Sequence, residues 1–237
     1  MSFPPAVVAA VRSFLRAVLT GDAELLAASC LPHEGLDRLV EARSTPPPPE
    51  LLEELDHLQL HGGQIDDERH LVMAWSGGAL QLLIVQGSTA GPRVDARYAI
   101  AALDPDDERR RVARRFYLAM LLGDLAGMRA LAFDPRGLEL LAGAAPPAGE
   151  VAQLAHITET MGLARVQPGE RFWMPRGAKV VSAQHEALGI EVWRGLAPDG
   201  ELPFLLRQRD GAWKVIPAPF VEAAVLARGG TFGESGA

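Results

Sequence analysis

The sequence is poor in the residues that cross-link small proteins or hold metals and phosphates. A single cysteine, Cys30, excludes an intrachain disulfide and a cysteine-rich zinc cluster. The six histidines are scattered along the chain, no paired-cysteine spacing accompanies them, and no glycine-rich phosphate loop is present. The sequence therefore predicts no metal and no other bound cofactor, and the lone thiol fits a protein of the reducing cytoplasm.

Charge and hydropathy exclude two further classes of function. The net charge is -7 and the pI is near 5.4, so the chain as a whole does not attract phosphate backbones or anionic lipids. Arg12 and Arg16 interrupt the apolar run at the N-terminus well short of membrane-spanning length, which predicts an ordinary helix there. We expect neither nucleic acid nor a membrane among the partners of this protein.

What the sequence does contain is an internal repeat. A shift of 102 positions aligns residues 11–39 with residues 113–141 without a gap, and ten of the 29 pairs are identical, where chance would supply about two or three. The identical pairs are Arg12/Arg114, Phe14/Phe116, Ala17/Ala119, Leu19/Leu121, Gly21/Gly123, Asp22/Asp124, Ala28/Ala130, Gly35/Gly137, Leu36/Leu138 and Leu39/Leu141. The repeat predicts two domains, residues 1–103 and 104–237, with Asp104 capping the first helix of the second domain and Pro105 at its first position.

Each copy changes its hydrophobic period from helix to strand. Apolar residues recur at steps of three and four in the first segment of each copy, which predicts an amphipathic helix. Gly21 and Gly123 are expected to end these helices, and Asp22 and Asp124 to start the next ones as N-caps. Short β-rich runs follow, among them RHLVMAW, RVDARYAIAA and AKVVSAQHEALGIEVWRG. The pattern predicts an α+β fold in which N-terminal helices pack on an antiparallel sheet.

This order of elements, finishing in RDGAWKVIPAPF, resembles the nuclear transport factor 2-like superfamily. Phe116, Gly123, Asp124 and Trp213 are among the residues that carry the resemblance, while the first copy lacks the glycine-tryptophan ending. The resemblance implies two tandem cone-shaped domains, each with a curled sheet around a long helix and a pocket at the open end. The superfamily includes ketosteroid isomerase-like and polyketide cyclase-like enzymes as well as domains without catalysis, so the fold does not choose between them.

Three residues of the second copy are the candidate ligand-binding residues. Tyr117 follows the core Phe116 on the long helix, where related enzymes place a hydroxyl that faces the pocket. His185 is expected on a strand in VVSAQHEAL, facing inward with Val181 and Ala183. Trp193 is expected to form part of the apolar wall of the same pocket. The sequence therefore predicts a site formed by Tyr117, His185 and Trp193.

Other polar residues have simpler explanations. His57 and His156 occur at matching places in both copies, so we expect them to serve the fold as caps or hydrogen-bonding side chains. Asp95 and Arg97 alternate along the predicted strand RVDARYAI, which is typical of a solvated face with a surface salt bridge. Cys30 follows a helical apolar run and is expected to be buried.

Two functions remain open from the sequence alone. The first is a non-catalytic protein that binds a hydrophobic small molecule or a partner protein, with the two copies packed as an intramolecular pseudo-dimer. The alternative is a cofactor-free cyclase or isomerase in the second copy, with His185 as general base and Tyr117 as hydrogen-bond donor to an enolate.

Overall fold

The computed structural model describes residues 3–42, 46–76, 79–103, 107–197 and 200–229 of the chain. Of these described residues, 44% are in helices and 27% in strands, and the sheets are antiparallel, which confirms the predicted α+β class. Internal contacts divide the chain into two compact units, Met1–Asp104 with Leu196–Gly200 and Pro105–Gly195 with Glu201–Ala237. That both units are copies of one fold stays a prediction. The expected cap Asp104 and the expected first helical residue Pro105 lie outside the described residues.

The described part of the first unit has helices, then a four-stranded sheet, then a short closing helix. The helices are α1 (Pro5–Thr20), α2 (Ala23–Ser29), α3 (Leu36–Glu41), α4 (Pro49–Asp56) and α5 (Arg97–Ala102). The strands β1 (Leu60–Gln64), β2 (Arg69–Ser76), β3 (Ala79–Gln86) and β4 (Arg93–Asp95) pair antiparallel in chain order. Val11 and Phe14 of α1 join Val72 and Val85 of the sheet in one buried apolar core, as the helical spacing predicts.

The described part of the second unit follows the same order and adds a hairpin. Its helices are α6 (Glu108–Leu121), α7 (Leu125–Leu131), α8 (Ala148–Thr160), α9 (Ala183–Ala187) and α10 (Ala218–Ala227), with a 3-10 turn at Leu138–Leu140. Its strands are β5 (Leu163–Arg165), β6 (Arg171–Met174), β7 (Gly177–Val180), β8 (Ile190–Ala197), β9 (Gly200–Arg209) and β10 (Ala212–Ile216). The main sheet has the order β10-β9-β8-β5, and β6 pairs with β7 alone. Asp107 is the N-cap of α6.

The repeated Gly-Asp pair ends one helix and starts the next in both units, as predicted. Gly21 and Gly123 have φ angles of 70° and 66°, the left-handed conformation that glycine adopts without a steric penalty. Asp22 accepts a hydrogen bond from the backbone N–H of Leu25, and Asp124 accepts one from that of Gly127, each at 2.9 Å. These contacts confirm both aspartates as N-caps.

One long-range contact also recurs at equivalent positions of the two units. Cys30 forms a parallel bridge to Val94, and Ala132, which is 102 positions later, forms a parallel bridge to Val215. Each valine lies on the last strand of the sheet in its own unit, β4 or β10. The segment after the second helix is therefore held against the same edge of the sheet in both units.

The run RVDARYAIAA departs from the prediction. Only Arg93–Asp95 is a strand, and Arg97–Ala102 forms α5. The predicted salt bridge between Asp95 and Arg97 exists at 2.7 Å, but the side chain of Asp95 is only 4% exposed, so the expected solvated strand face is wrong. Asp95 also accepts a hydrogen bond from the backbone N–H of Arg97, which stabilises the turn where the strand ends.

The second unit contains a segment that the first unit lacks. Four residues, 65–68, join β1 to β2, whereas residues 166–189 join β5 to β8, the two corresponding strands in the other sheet. We call residues 166–189 the insertion. It contains the β6–β7 hairpin and α9. Phe172 of the hairpin is 2% exposed and packs with Val166, Val181 and Val192, which attaches the insertion to β8.

Candidate functional site

Tyr117 is packed in the aromatic core of the second unit. It lies on α6 as predicted and is 7% exposed. Its ring meets that of Phe204 edge to face, with the centroids 6.3 Å apart, and Phe204 in turn packs on Phe220 at 5.3 Å. Edge-to-face packing of this kind contributes about 0.5–1.5 kcal/mol beyond burial of the ring. These contacts give Tyr117 a packing role in α6.

Trp193 is buried beside a carboxylate and an arginine. It lies on β8 with 4% of its surface exposed, and its indole N–H donates to Oε2 of Glu191 at 3.0 Å. The guanidinium of Arg110 lies 5.5 Å from the centre of its ring. Nε of Arg109 approaches the same Glu191 oxygen at 2.8 Å. The indole donor is thus paired within the protein, and the ring faces a cation.

His185 lies on a helix, so its predicted position on a strand is wrong. It is the third residue of α9, and its Nδ1 accepts a hydrogen bond from the backbone N–H of Ser182 at 3.2 Å. The ring meets Phe172 edge to face at 6.0 Å. Val181 is buried as expected, whereas Ala183 is exposed. The local reason is the Ser182-x-x-His185 pattern, which forms a capping box and starts a helix where alternation had indicated a strand.

The three side chains of the predicted site each contact different neighbouring residues. Tyr117 contacts Phe204, Trp193 contacts Glu191, and His185 contacts Phe172 and Ser182. A proton shuttle needs an open space between base and hydroxyl, and each of these side chains instead packs on or bonds to its own neighbours.

The remaining candidates have mostly structural positions. His57 is the C-cap residue of α4 and is exposed, and His156 is an exposed residue of α8. No group of three or more histidine, cysteine, aspartate or glutamate side chains suited to a metal occurs among the residues that the structure describes. The described helices also include none that is long and apolar enough to cross a bilayer.

Cys30 is buried, as predicted, and burial raises the pKa of its thiol from an ordinary value near 9 to about 11. The carboxylate of Asp95 acts in the same direction. Because the folded-state pKa is raised, the neutral thiol stabilises the fold fully below about pH 9, and this contribution is lost as the pH rises through about 11.

We therefore expect Cys30 to react slowly with a disulfide reagent in the folded protein. At pH 8 its thiolate fraction is about a hundredfold lower than in the unfolded chain, and burial limits access further. The measurement is the rate of thiol release from Ellman's reagent with and without 8 M urea. Equal rates in the two conditions would show that the thiol is accessible.

A surface that the sequence did not indicate lies on the β6–β7 hairpin. In this hairpin Trp173 is paired with Ala178, and Arg171 with Val180, so these four side chains share one face. All four are exposed, with Trp173 at 38% and Val180 at 48%. We call this set the outer face of the hairpin. Phe172 points to the opposite side and is buried.

The outer face is held in place by two arginine contacts. Nη2 of Arg194 on β8 donates to the backbone oxygen of Arg171 at 2.9 Å, and Nη1 of Arg194 lies 3.4 Å from Glu201. At the turn of the hairpin, Arg176 pairs with Glu222 of α10 at 2.6 Å. The hairpin that carries the exposed tryptophan is thus attached to the main sheet and to a helix.

One sequence signal could have identified this surface. The second predicted domain is 31 residues longer than the first, and the surplus includes the run RFWM with alternating apolar residues. Alternation predicts one buried and one exposed aromatic residue but does not decide which is which, because a shift of one residue exchanges the two faces.

No family model matches this chain, and comparisons with curated proteins and with solved structures give no match either.

Proposed function

We propose that this protein is a non-catalytic binding protein that captures a partner protein through the outer face of the β6–β7 hairpin. The observation that carries the proposal is the exposure of Trp173 and Val180 on one face of a segment that the first unit lacks. The two side chains are diagonal neighbours across the hairpin, within reach of one another. Residues that only one copy of a repeat contains are free of the packing role that both copies share.

The exposed apolar side chains of the outer face are of the kind that form binding hot spots. Tryptophan is enriched among the residues that dominate interface energies because it contributes a large, rigid apolar area at low entropic cost. An exposed tryptophan beside an exposed valine leaves apolar surface in water, and its burial by a partner would be favourable by roughly 25 cal/mol per Å². The buried Phe172 on the opposite side keeps the hairpin in its binding conformation.

The charges of the hairpin indicate the partner's character. Arg171 is exposed on the outer face, whereas Lys179 is paired with Phe172 and belongs to the opposite side of the hairpin. The third cation, Arg176, is paired with Glu222, and residues 171–180 include no acidic side chain. A partner with an apolar contact surface and an acidic rim complements this arrangement. Opposite charges at a rim act mainly on the association rate and on the choice of partner.

The enzyme hypothesis has less support. It needs His185 and Tyr117 around one reacting carbonyl, but Nδ1 of His185 is engaged at the start of α9 and the ring of Tyr117 is packed against Phe204. A general base also works best with a free nitrogen facing the substrate. These contacts favour binding over proton transfer.

As part of the same proposal, each unit is a cone of the nuclear transport factor 2-like type. The equivalent Gly-Asp helix ends and the equivalent bridges at Cys30 and Ala132 support a duplicated fold. Superposition of an experimental structure of one unit on the other, over the helices and at least three strands, tests this part.

The experiment for partner capture compares two double variants of the full chain. We expect Trp173→Ser/Val180→Ser to weaken binding of the protein partner at least tenfold, because a central tryptophan commonly contributes about 2 kcal/mol or more. Partners enriched by the wild-type chain from cells of its source are identified by mass spectrometry. Their affinities for each variant are then measured by biolayer interferometry.

The matched control is Val151→Ser/Leu226→Ser. These residues are each 38% exposed but lie on α8 and α10, outside the hairpin. The control should bind the partner like the wild type, and both double variants should keep the wild-type melting temperature within a few degrees. Loss of binding in both variants, or in neither, would contradict the proposal.

A further inference from the structure

The repeat includes one arginine pair whose members make different contacts. Arg114 on α6 donates from Nε and Nη2 to the backbone oxygen of Met161, at 3.2 and 2.9 Å. It thereby satisfies a carbonyl at the end of α8, an ordinary structural role for an arginine. Arg12 is its identical equivalent on α1. A purely structural explanation for the shared arginine predicts the same kind of contact in the first unit.

Arg12 makes no such contact. Its Nε is buried and has no hydrogen-bond partner, and within the described ranges the side chain forms no ion pair. The residue as a whole is partly exposed, and the buried Nε donor without a partner costs about 1–3 kcal/mol. Natural proteins rarely retain such a group unless a ligand, an ion or water satisfies it.

The space next to Arg12 is a cleft of the first unit with a volume of about 680 Å³. Its apolar walls include Phe3, Val8 and Leu25. Besides Arg12, its polar lining consists of Ser13, Arg16 and Asp56. The last two form an ion pair with each other at 3.0 Å, so Arg12 supplies the one uncompensated charge among these lining residues.

The equivalent surface of the second unit has different residues. The positions that correspond to Val8 and Ala9 of the cleft are Arg110 and Arg111 on α6. Arg110 is engaged with the ring of Trp193. Among these described positions, the apolar residues and the unpaired arginine therefore occur together in the first unit and not at the equivalent place in the second, although the arginine itself belongs to both.

We propose that this cleft binds a small molecule with a carboxylate on an apolar body, with Arg12 as the carboxylate partner. A guanidinium presents parallel N–H donors that match the two oxygens of a carboxylate. A single net positive charge balances a monoanion, whereas a phosphate dianion would stay partly uncompensated. The volume lies within the range of about 300–1,000 Å³ that small-molecule sites occupy. This site is independent of the outer face of the hairpin.

The test uses decanoate, kept below its micellar concentration, titrated into the full-length protein by isothermal calorimetry. We expect saturable binding of one decanoate per chain and at least tenfold weaker binding of 1-decanol, which has the same apolar body without the charge. Arg12→Gln should weaken decanoate binding at least tenfold, because charge-assisted hydrogen bonds exceed neutral ones.

The control is Arg38→Gln. This arginine is exposed on α3 of the same unit, so its substitution changes the net charge equally but leaves the cleft intact. It should bind decanoate like the wild type. The proposal is overturned if the wild type does not bind decanoate, if decanol binds equally well, or if Arg12→Gln and Arg38→Gln have the same affinity. Loss of the protein partner in the hairpin variant would leave decanoate binding unchanged.

Discussion

Replacing Gly123 with alanine is expected to destabilise the folded protein by about 2–5 kcal/mol. The backbone at Gly123 has a φ of +66°, which a residue with a side chain adopts at a cost of about 1–2 kcal/mol. A Cβ there would also lie 2.6 Å from the backbone oxygen of Gly143. Backbone cannot move aside as a flexible side chain does, so the steric cost adds to the conformational one.

The repeat provides a control for this prediction in Gly21→Ala. Gly21 has nearly the same φ, +70°, but the nearest atom to its Cβ would be Cγ1 of Val40 at 3.8 Å, an ordinary van der Waals distance. Only the conformational cost of about 1–2 kcal/mol is expected there. Urea unfolding of the two variants measures the difference. Equal losses of stability would show that the approach to Gly143 is not maintained in solution.

Replacing Arg194 with methionine is the second substitution with a large expected effect, a loss of about 3–5 kcal/mol. The side chains of Arg194 and Glu201 are only 8% and 3% exposed, and their charged atoms are 3.4 Å apart. Without the arginine, the buried carboxylate of Glu201 would lose this nearby positive charge. The backbone oxygen of Arg171 would also lose its donor, which loosens the hairpin.

A double substitution separates the charge effect from the packing effect. Arg194→Met/Glu201→Met removes both charges, so we expect it to be more stable than Arg194→Met alone. Arg129→Met serves as the surface control, because Arg129 and Glu139 are more than half exposed and their pair contributes at most about 1 kcal/mol. Denaturant midpoints of the four proteins give the comparison. A double variant less stable than Arg194→Met would contradict the charge explanation.

The correct predictions from sequence concern features that depend on neighbours in the chain. Gly21 and Asp22 end one helix and start the next through contacts that span three or four residues. The helical spacing of Val11 and Phe14 identified the buried face of α1. The α+β class follows from the change of period within each copy.

The incorrect predictions concern short segments in which two local patterns compete. Asp95 and Arg97 alternate like a strand, but the strand ends at Asp95 and a helix begins. His185 also alternates with Val181 and Ala183, yet the capping box with Ser182 turns the chain into α9. A segment of five or six residues can fit both the alternation of a strand and the start of a helix, and packing then decides which of the two forms.

The sequence by itself determined the helix ends, the apolar faces of the long helices and the existence of a repeat, because each depends on residue types at fixed spacing. Only the tertiary structure decided that Asp95 is buried, that Trp173 rather than Phe172 faces water, and that Arg12 lacks the partner of Arg114. The physical reason is that burial and pairing depend on which distant segments cover a side chain, and two identical residues in a repeat acquire different neighbours once the surrounding chain differs.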